Sequence, residues 1–348
     1  MKKIRSRRKY QEFQQKKHHK REARRKSHAL RLALWKLTIG EWKMRADGLP
    51  TPDVVPAPEH FSLIHEPVKA VEHLNEIARR AEKSKIVMSD MSHVNNFSTD
   101  VLIALIAYAN DGNRGNKAKI LVRSPLDPEL TDKYHDSGIY GDTNIRFGDG
   151  SIRPANGTIF RISDTEVKGE IAKRLITFAT NHVFGTTQKL KGVYATMIEC
   201  MNNTVNHATA EGDDKEVWWA TVYCDTKRQI AFFNFLDSGI GILESIKLRW
   251  PDVFLRSVGL RDSPGLLRDV LKGKIGSRTG LSYRGNGLPE IYKRFKRGQM
   301  SRLIIVSNDV YADLEKDEYR LLPKPFRGTF FHWEISYDKH FDRRGRPN

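Results

Sequence analysis

Two glycine-rich punctuations constrain this chain more than any other feature. Asp237-Ser238-Gly239-Ile240-Gly241 closes an apolar segment with strand character, and Arg284-Gly285-Asn286-Gly287-Leu288 opens a helical pattern with Ile291, Tyr292 and Phe295. An aspartate at a strand end, followed by glycines, offers a carboxylate beside backbone that a ligand can approach closely. Glycine-rich backbone at a helix start turns N–H groups toward phosphate. Either motif alone reads as an ordinary turn. Before the first of them, residues 217–224 and 229–236 read as paired strands around the turn Asp225-Thr226-Lys227-Arg228.

A helix upstream gives these turns a chemistry. Over residues 191–210, Tyr194, Met197, Ile198, Met201 and Val205 form an apolar stripe. Glu199, Asn203 and His207 recur every fourth residue and share another face. A glutamate can take a proton from water, and an asparagine oxygen can ligate magnesium without adding charge. A polar helix face taken alone is usually just solvated.

In this order and spacing the three motifs resemble those of the GHKL ATPase superfamily. Glu199 to Ala208 corresponds to its N box, Asp237 to Gly241 and Gly285 to Leu288 to its glycine boxes, and Gly328-Thr329-Phe330-Phe331 to its final box. The resemblance covers about residues 164–337. It implies a Bergerat-type α/β sandwich, an antiparallel-rich mixed sheet under helices with ATP in the open face. It also implies roles. Asp237 accepts from the adenine amino group, Asn203 ligates magnesium, and Gly285, Gly287 and Leu288 cradle phosphates. Thr329 lies near the adenine, Glu199 is the general base, and His207, Gly239, Gly241 and Asn286 complete the ATP-binding set. Residues 243–283 would form an ATP lid carrying eight basic residues, among them Lys247, Arg249, Arg268, Lys272 and Lys274.

Residues 60–163 alternate strand and helix signals, which means a layered α/β unit. The pattern gives strands at 61–64, 86–88 and 119–122. It gives helices at 67–83, with Val68, Val71, Leu74 and Ile77 on the apolar face, at 98–110, capped by Ser98 or Asn96, and at 126–136. The stretch from Lys85 to Leu105 resembles the STAS fold of anti-sigma-factor antagonists, a docking module. Ser98-Thr99-Asp100-Val101 stands at that family's signature without its aspartate and glycine in place. A helix cap with ordinary turn residues explains the same letters. The resemblance implies a protein partner for this unit.

Residues 1–45 hold 17 Lys and Arg against three Glu, which is +14 of the chain's net +18. Arg7, Arg8, Lys9, Lys16, Lys17, Lys20, Arg21, Arg24, Arg25 and Lys26 crowd an arm suited to displacing counterions from nucleic-acid phosphates, with no preference for DNA or RNA. A solvated tail, or a grip on an acidic protein, is the plainer reading. From Leu30 the arm takes on helical periodicity. Residues 46–59, with four prolines, read as an extended linker, and 341–348 as a basic tail. No uncharged apolar run reaches membrane-spanning length, and Cys200 and Cys224 suit neither a disulfide framework nor a zinc site. A cytoplasmic location is expected.

These features divide the chain into arm (1–45), linker (46–59), STAS-like α/β domain (60–163), ATP-binding domain (164–340) and tail. The α/β (α+β) class follows, with a homodimer admitted. The leading functional reading is an ATP-binding and ATP-hydrolysing regulatory switch that contacts nucleic acid. The alternatives are a serine/threonine kinase of the anti-sigma partner-switching kind and a non-catalytic nucleotide-sensing adaptor or antitoxin-like regulator.

Overall fold

The computed structural model describes residues 51–111, 118–136, 159–207, 217–249, 262–275 and 287–337. The basic arm, Gly285, Asn286, the tail and much of the lid region lie outside these residues, as does the His207 side chain.

The chain begins with strands β1 (Asp53–Pro56) and β2 (His60–Phe61), then helix α1 (Pro67–Ala81), β3 (Ile86–Asp90), β4 (Asn96–Phe97), α2 (Thr99–Asp111), β5 (Lys119–Arg123) and α3 (Pro128–Asp136). Strands β1, β3 and β5 form a parallel sheet in the order β1-β3-β5, with Val55 opposite Ser89 and Val87 opposite Ile120. Helix α1 has proline in its first turn and buries Ala70, Val71, Leu74, Ile77 and Ala81. Val68 departs from the expected stripe and is 37% exposed. Strand β1 falls inside the segment read as a linker. Its prolines are compatible with pairing because β1 is an edge strand, where a missing N–H costs no ladder bond.

Next come β6 (Ile159–Asp164), α4 (Gly169–Phe184), α5 (Lys191–His207), β7 (Trp218–Asp225), β8 (Ile230–Asp237), α6 (Ile242–Arg249), α7 (Ser263–Leu271), α8 (Gly287–Lys296), β9 (Ser301–Asp313) and β10 (Glu318–Ser336). Five of these strands make a second sheet, order β6-β7-β8-β10-β9, in which every neighbouring pair is antiparallel. The expected pairing of residues 217–224 with 229–236 is the β7–β8 hairpin. The expected boundary at 163/164 cuts through β6, which pairs with β7 and so belongs to this sheet.

Period-two alternation sends the strand side chains to opposite faces. Trp218, Ala220, Val222, Phe233, Phe235, Phe331 and Trp333 point to the front, where they pack with α4, α5, α7 and α8. Trp219, Leu236, Ile304, Val306 and Phe330 point to the back, into one core with Phe61, Val71, Leu74, Val101 and Leu105. The back face is thus covered by α1 and α2, which also touch the parallel sheet. Sandwiched between two sheets, α2 is buried at every position from Val101 to Tyr108. A helix that is apolar all round needs such a place. The molecule is layered sheet, helices, sheet, helices, and residues of the first unit share this inner core with the antiparallel sheet.

Candidate functional site

Helix α5 turns Val193, Thr196, Met197, Cys200, Met201 and Thr204 into the front core. Of the expected stripe, Met197 and Met201 are buried, whereas Tyr194, Ile198 and Val205 are only half-buried. Glu199 and Asn203 sit at its margin. Both face the start of α8. A side-chain carbon on Gly287 would lie 2.9 Å from Glu199 Oε2 and 3.2 Å from Asn203 Oδ1. At the other end of the pair, a side-chain carbon on Gly192 would lie 2.6 Å from Gln299 Cβ. The two helices thus run antiparallel, with α8 delivering its N-terminal N–H groups beside the two polar residues of α5. Among the described residues neither Glu199 nor Asn203 has a hydrogen-bond partner.

Asp237 ends β8 and is buried. Sheet register places it opposite Thr329, and its Oδ1 accepts from the Thr329 N–H at 3.1 Å and the Gly239 N–H at 3.0 Å. Gly328 lies against the Asp237 backbone. It has φ +86°, and any side-chain carbon there would come within 3.0 Å of the Asp237 carbonyl carbon, so only glycine fits.

The turn after Asp237 is held from β9 by two residues that the sequence reading did not single out. Ser307 Oγ accepts from Ile242 N–H at 2.9 Å and lies 3.3 Å from Thr329 Oγ1. Asn308 Oδ1 accepts from Leu243 N–H at 2.9 Å, and its Nδ2 donates to the Ile240 carbonyl at 2.8 Å. Asn308 has φ +53°. The available signal was Ser307-Asn308-Asp309, a polar break inside the apolar run from Leu303 to Tyr311.

Buried Cys200 lies within electrostatic reach of both clusters. Burial drives its thiol well above the usual range, the carboxylates of Asp237 and Glu199 add to the shift, and Arg294 opposes it. Burial also pushes Cys224 up to about 12. Neither thiol has the exposed, electropositive setting of a reactive cysteine. Among the described residues no group of three His, Cys, Asp or Glu comes together as a metal centre, and none of their helices is long and apolar enough to cross a membrane.

The structure brings Glu199, Asn203 and Gly287 together at the start of α8, followed by half-buried Leu288. It brings Asp237, Gly239 and Thr329 together at the end of β8, followed by Gly241 in the held turn. In the lid region several cations are engaged within the protein. Lys247 pairs with Glu244 at 3.0 Å, Lys274 with Asp269 at 3.1 Å, and Arg268 stacks on Tyr319 at 4.5 Å.

In the first unit, Asp100 is fully buried. Its Oδ1 accepts from Leu63 N–H at 2.9 Å, and its Oδ2 accepts from Ser62 at 3.1 Å and Ser98 at 2.5 Å. Ser98 and Asp100 therefore lock the start of α2 to the 61–64 segment, as helix-terminal residues do, while Thr99 accepts from Asn234. That segment is strand only at Phe61 and continues as a turn.

Compared with known proteins, the chain matches no family model, and no curated protein matches it significantly.

Proposed function

We propose that the front face binds ATP with magnesium and hydrolyses it, in the manner of the GHKL ATPases that the motifs resemble. One observation carries the reading. Glu199 and Asn203, which have no hydrogen-bond partner among the described residues, meet at the glycine start of α8 on the same sheet face as Asp237.

In this reading Asp237 takes the adenine amino group, with Oδ1 fixed by two N–H donors so that the carboxylate keeps one orientation. Thr329, bridged to Ser307, borders the base. The N–H groups of Gly287 and Leu288 meet phosphate oxygens, where the α8 dipole favours negative charge. Glu199 takes the proton from an attacking water. Asn203 holds the magnesium, which offsets phosphate charge when bound. The two hydroxyls of the STAS-like signature are both engaged, Ser98 with Asp100 and Ser62 and Thr99 with Asn234, which favours hydrolysis over transfer to this chain's own first unit. The arm of residues 1–45 supplies a nucleic-acid contact, and the first unit a protein contact, so that nucleotide state acts as a switch.

Calorimetric titration of ATP into wild type and Asp237→Asn, with and without magnesium, tests the reading. A charge-assisted bond contributes about 1.5–3 kcal/mol, so the variant should bind about one to two decades more weakly. Equal affinity would overturn the nucleotide assignment.

A further inference from the structure

The end of the α5–α8 pair away from Gly287 has a character that nucleotide binding does not use. The Gly192–Gln299 approach joins two stretches of chain, residues 185–198 and 291–302. Neither contains an acidic residue. Together they expose Lys189, Lys191, Lys293, Lys296 and Arg297. Among the described residues, Glu334 is engaged with Arg302 at 3.2 Å, and the other acid bonded to these stretches is Glu290. It hydrogen-bonds Lys293 at 2.7 Å, and that bond, with the charges of Lys293, Arg294 and Arg297, holds its carboxyl below the usual range.

Local helix stability does not account for this charge. Cations at the C-terminal turn of α8 are favoured by its dipole, but a dipole end amounts to about half an elementary charge, far less than the cations gathered there. Lys189 and Lys191 flank the N-terminal end of α5, where a dipole favours acids and repels cations. Helix α5 has no acid in its first turn. Along α5 this end lies about 12 Å from Glu199, at 1.5 Å per residue.

The surface also lacks what a protein partner would need. Interfaces between proteins have an apolar centre depleted of charge. None of the large exposed apolar residues of the described chain falls in either stretch. Tyr292 and Phe295 are half-buried against the front core, and the Lys296 ammonium lies 5.7 Å and 6.0 Å from their ring centroids. What remains exposed is charge, aliphatic stem and the polar Thr186, Thr187 and Gln299, which suits a phosphate backbone read without base contacts.

We propose that Lys189, Lys191, Lys293, Lys296 and Arg297 form a nucleic-acid backbone-binding surface on the folded body, distinct from the basic arm. It holds a duplex by counterion release, and it stands whether or not the front face binds ATP.

The test uses the full chain. Lys191→Glu, Lys296→Glu and Arg297→Glu are combined in one variant. A control carries Lys83→Glu, Lys85→Glu and Lys119→Glu, three exposed cations of the first unit. Both are titrated against a labelled DNA duplex by fluorescence anisotropy across a salt series, with poly-glutamate as the competing polyanion. Each phosphate contact contributes a slope of about −0.9 in log affinity against log salt, so the patch variant should lose roughly two to three units of slope while the control keeps its own. If the reversed variant melts early, the same three residues changed to Gln should show the same loss of slope. An unchanged slope in the patch variants would overturn the proposal. So would an equal loss in the control, or tighter binding of poly-glutamate than of duplex at matched salt.

Discussion

On the back of the antiparallel sheet, Asn234 donates to Thr99 at 3.3 Å and to Thr221 at 3.2 Å, and accepts from His332 at 2.8 Å. From there His332 lies 3.5 Å from Glu334, Glu334 accepts from Arg302 at 3.2 Å, and Arg302 reaches His65 at 3.4 Å. On the front of the same sheet, Glu199 and Asn203 meet beside Gly287 without such commitments among the described residues. Both faces interrupt an apolar core with polar side chains, but to opposite ends. The back network spends its hydrogen bonds inside the protein and so fixes how the first unit sits on the sheet. Burial opposes the Glu334 charge, yet His332 and Arg302 hold its carboxyl below the usual range. The front leaves its polar groups at a glycine edge where something from outside can reach them.

If that division is right, the faces should fail separately. The largest effect belongs to the front. Glu199→Ala should leave ATP bound but slow phosphate release by about two to four decades, the usual contribution of a general base. The melting temperature should hold, since no hydrogen bond among the described residues is lost. A phosphate-release assay at saturating ATP reads the first outcome, and scanning calorimetry the second. Loss of stability with retained turnover would put Glu199 in the back-face class.

Acid should act on the other side of the molecule. His73 on α1 donates from Nδ1 to the Pro56 carbonyl at 3.1 Å and bonds Ser89 Oγ through Nε2 at 2.9 Å, and desolvation by burial lowers its pKa from 6.5 to about 4. The unfolded chain therefore binds this proton more readily than the folded one. Stability present above pH 6.5 should fall as pH drops toward 4, by up to about 3 kcal/mol. His65 is lowered too, chiefly by desolvation, and acts in the same direction. Denaturant midpoints across this window should decline for wild type and less steeply for His73→Gln. A parallel decline in both would remove His73 as the source.

The smallest effect sharpens the contrast. Asn234→Val strands the partners of a buried amide and should cost about 1–3 kcal/mol of stability. Asn234 lies on the strand that ends in Asp237, yet its side chain points to the back. ATP affinity of the folded variant, measured by calorimetry, should stay within about twofold of wild type. A tenfold loss would show that the two faces are coupled through β8.

The local elements were legible because each is written in local chemistry. The β7–β8 hairpin, the amphipathic α1 with proline at its start, and the helix opening at Gly287 all declare themselves in period and punctuation. The meeting of Glu199, Asn203 and Gly287 was legible only through the resemblance, since no spacing rule brings α5 to α8. Less could be read where the deciding contact is distant. Prolines hid β1, because edge position excuses them only once the sheet order is known. The shared inner core was hidden for a related reason. Val101 to Ala109 is the most apolar stretch of the chain, and its all-round character already implied cover on both sides, but not by which sheets. Ser307 and Asn308 went unread because a polar pair in a strand has no meaning until the loop it holds is in place.

The shared inner core also sets an order of events during synthesis. Tyr311 OH donates to the Ile64 carbonyl across 247 residues, and Phe326 and Phe330 complete the apolar layer that Phe61 and Val71 begin. At about 5–20 residues per second, the early helices wait roughly 10–50 s for the strands that cover them. During that interval α1 and α2 leave the ribosome with their sheet-facing sides bare. A nascent chain stalled before β9 should therefore be a strong client for chaperones, while one carried past Phe330 should not.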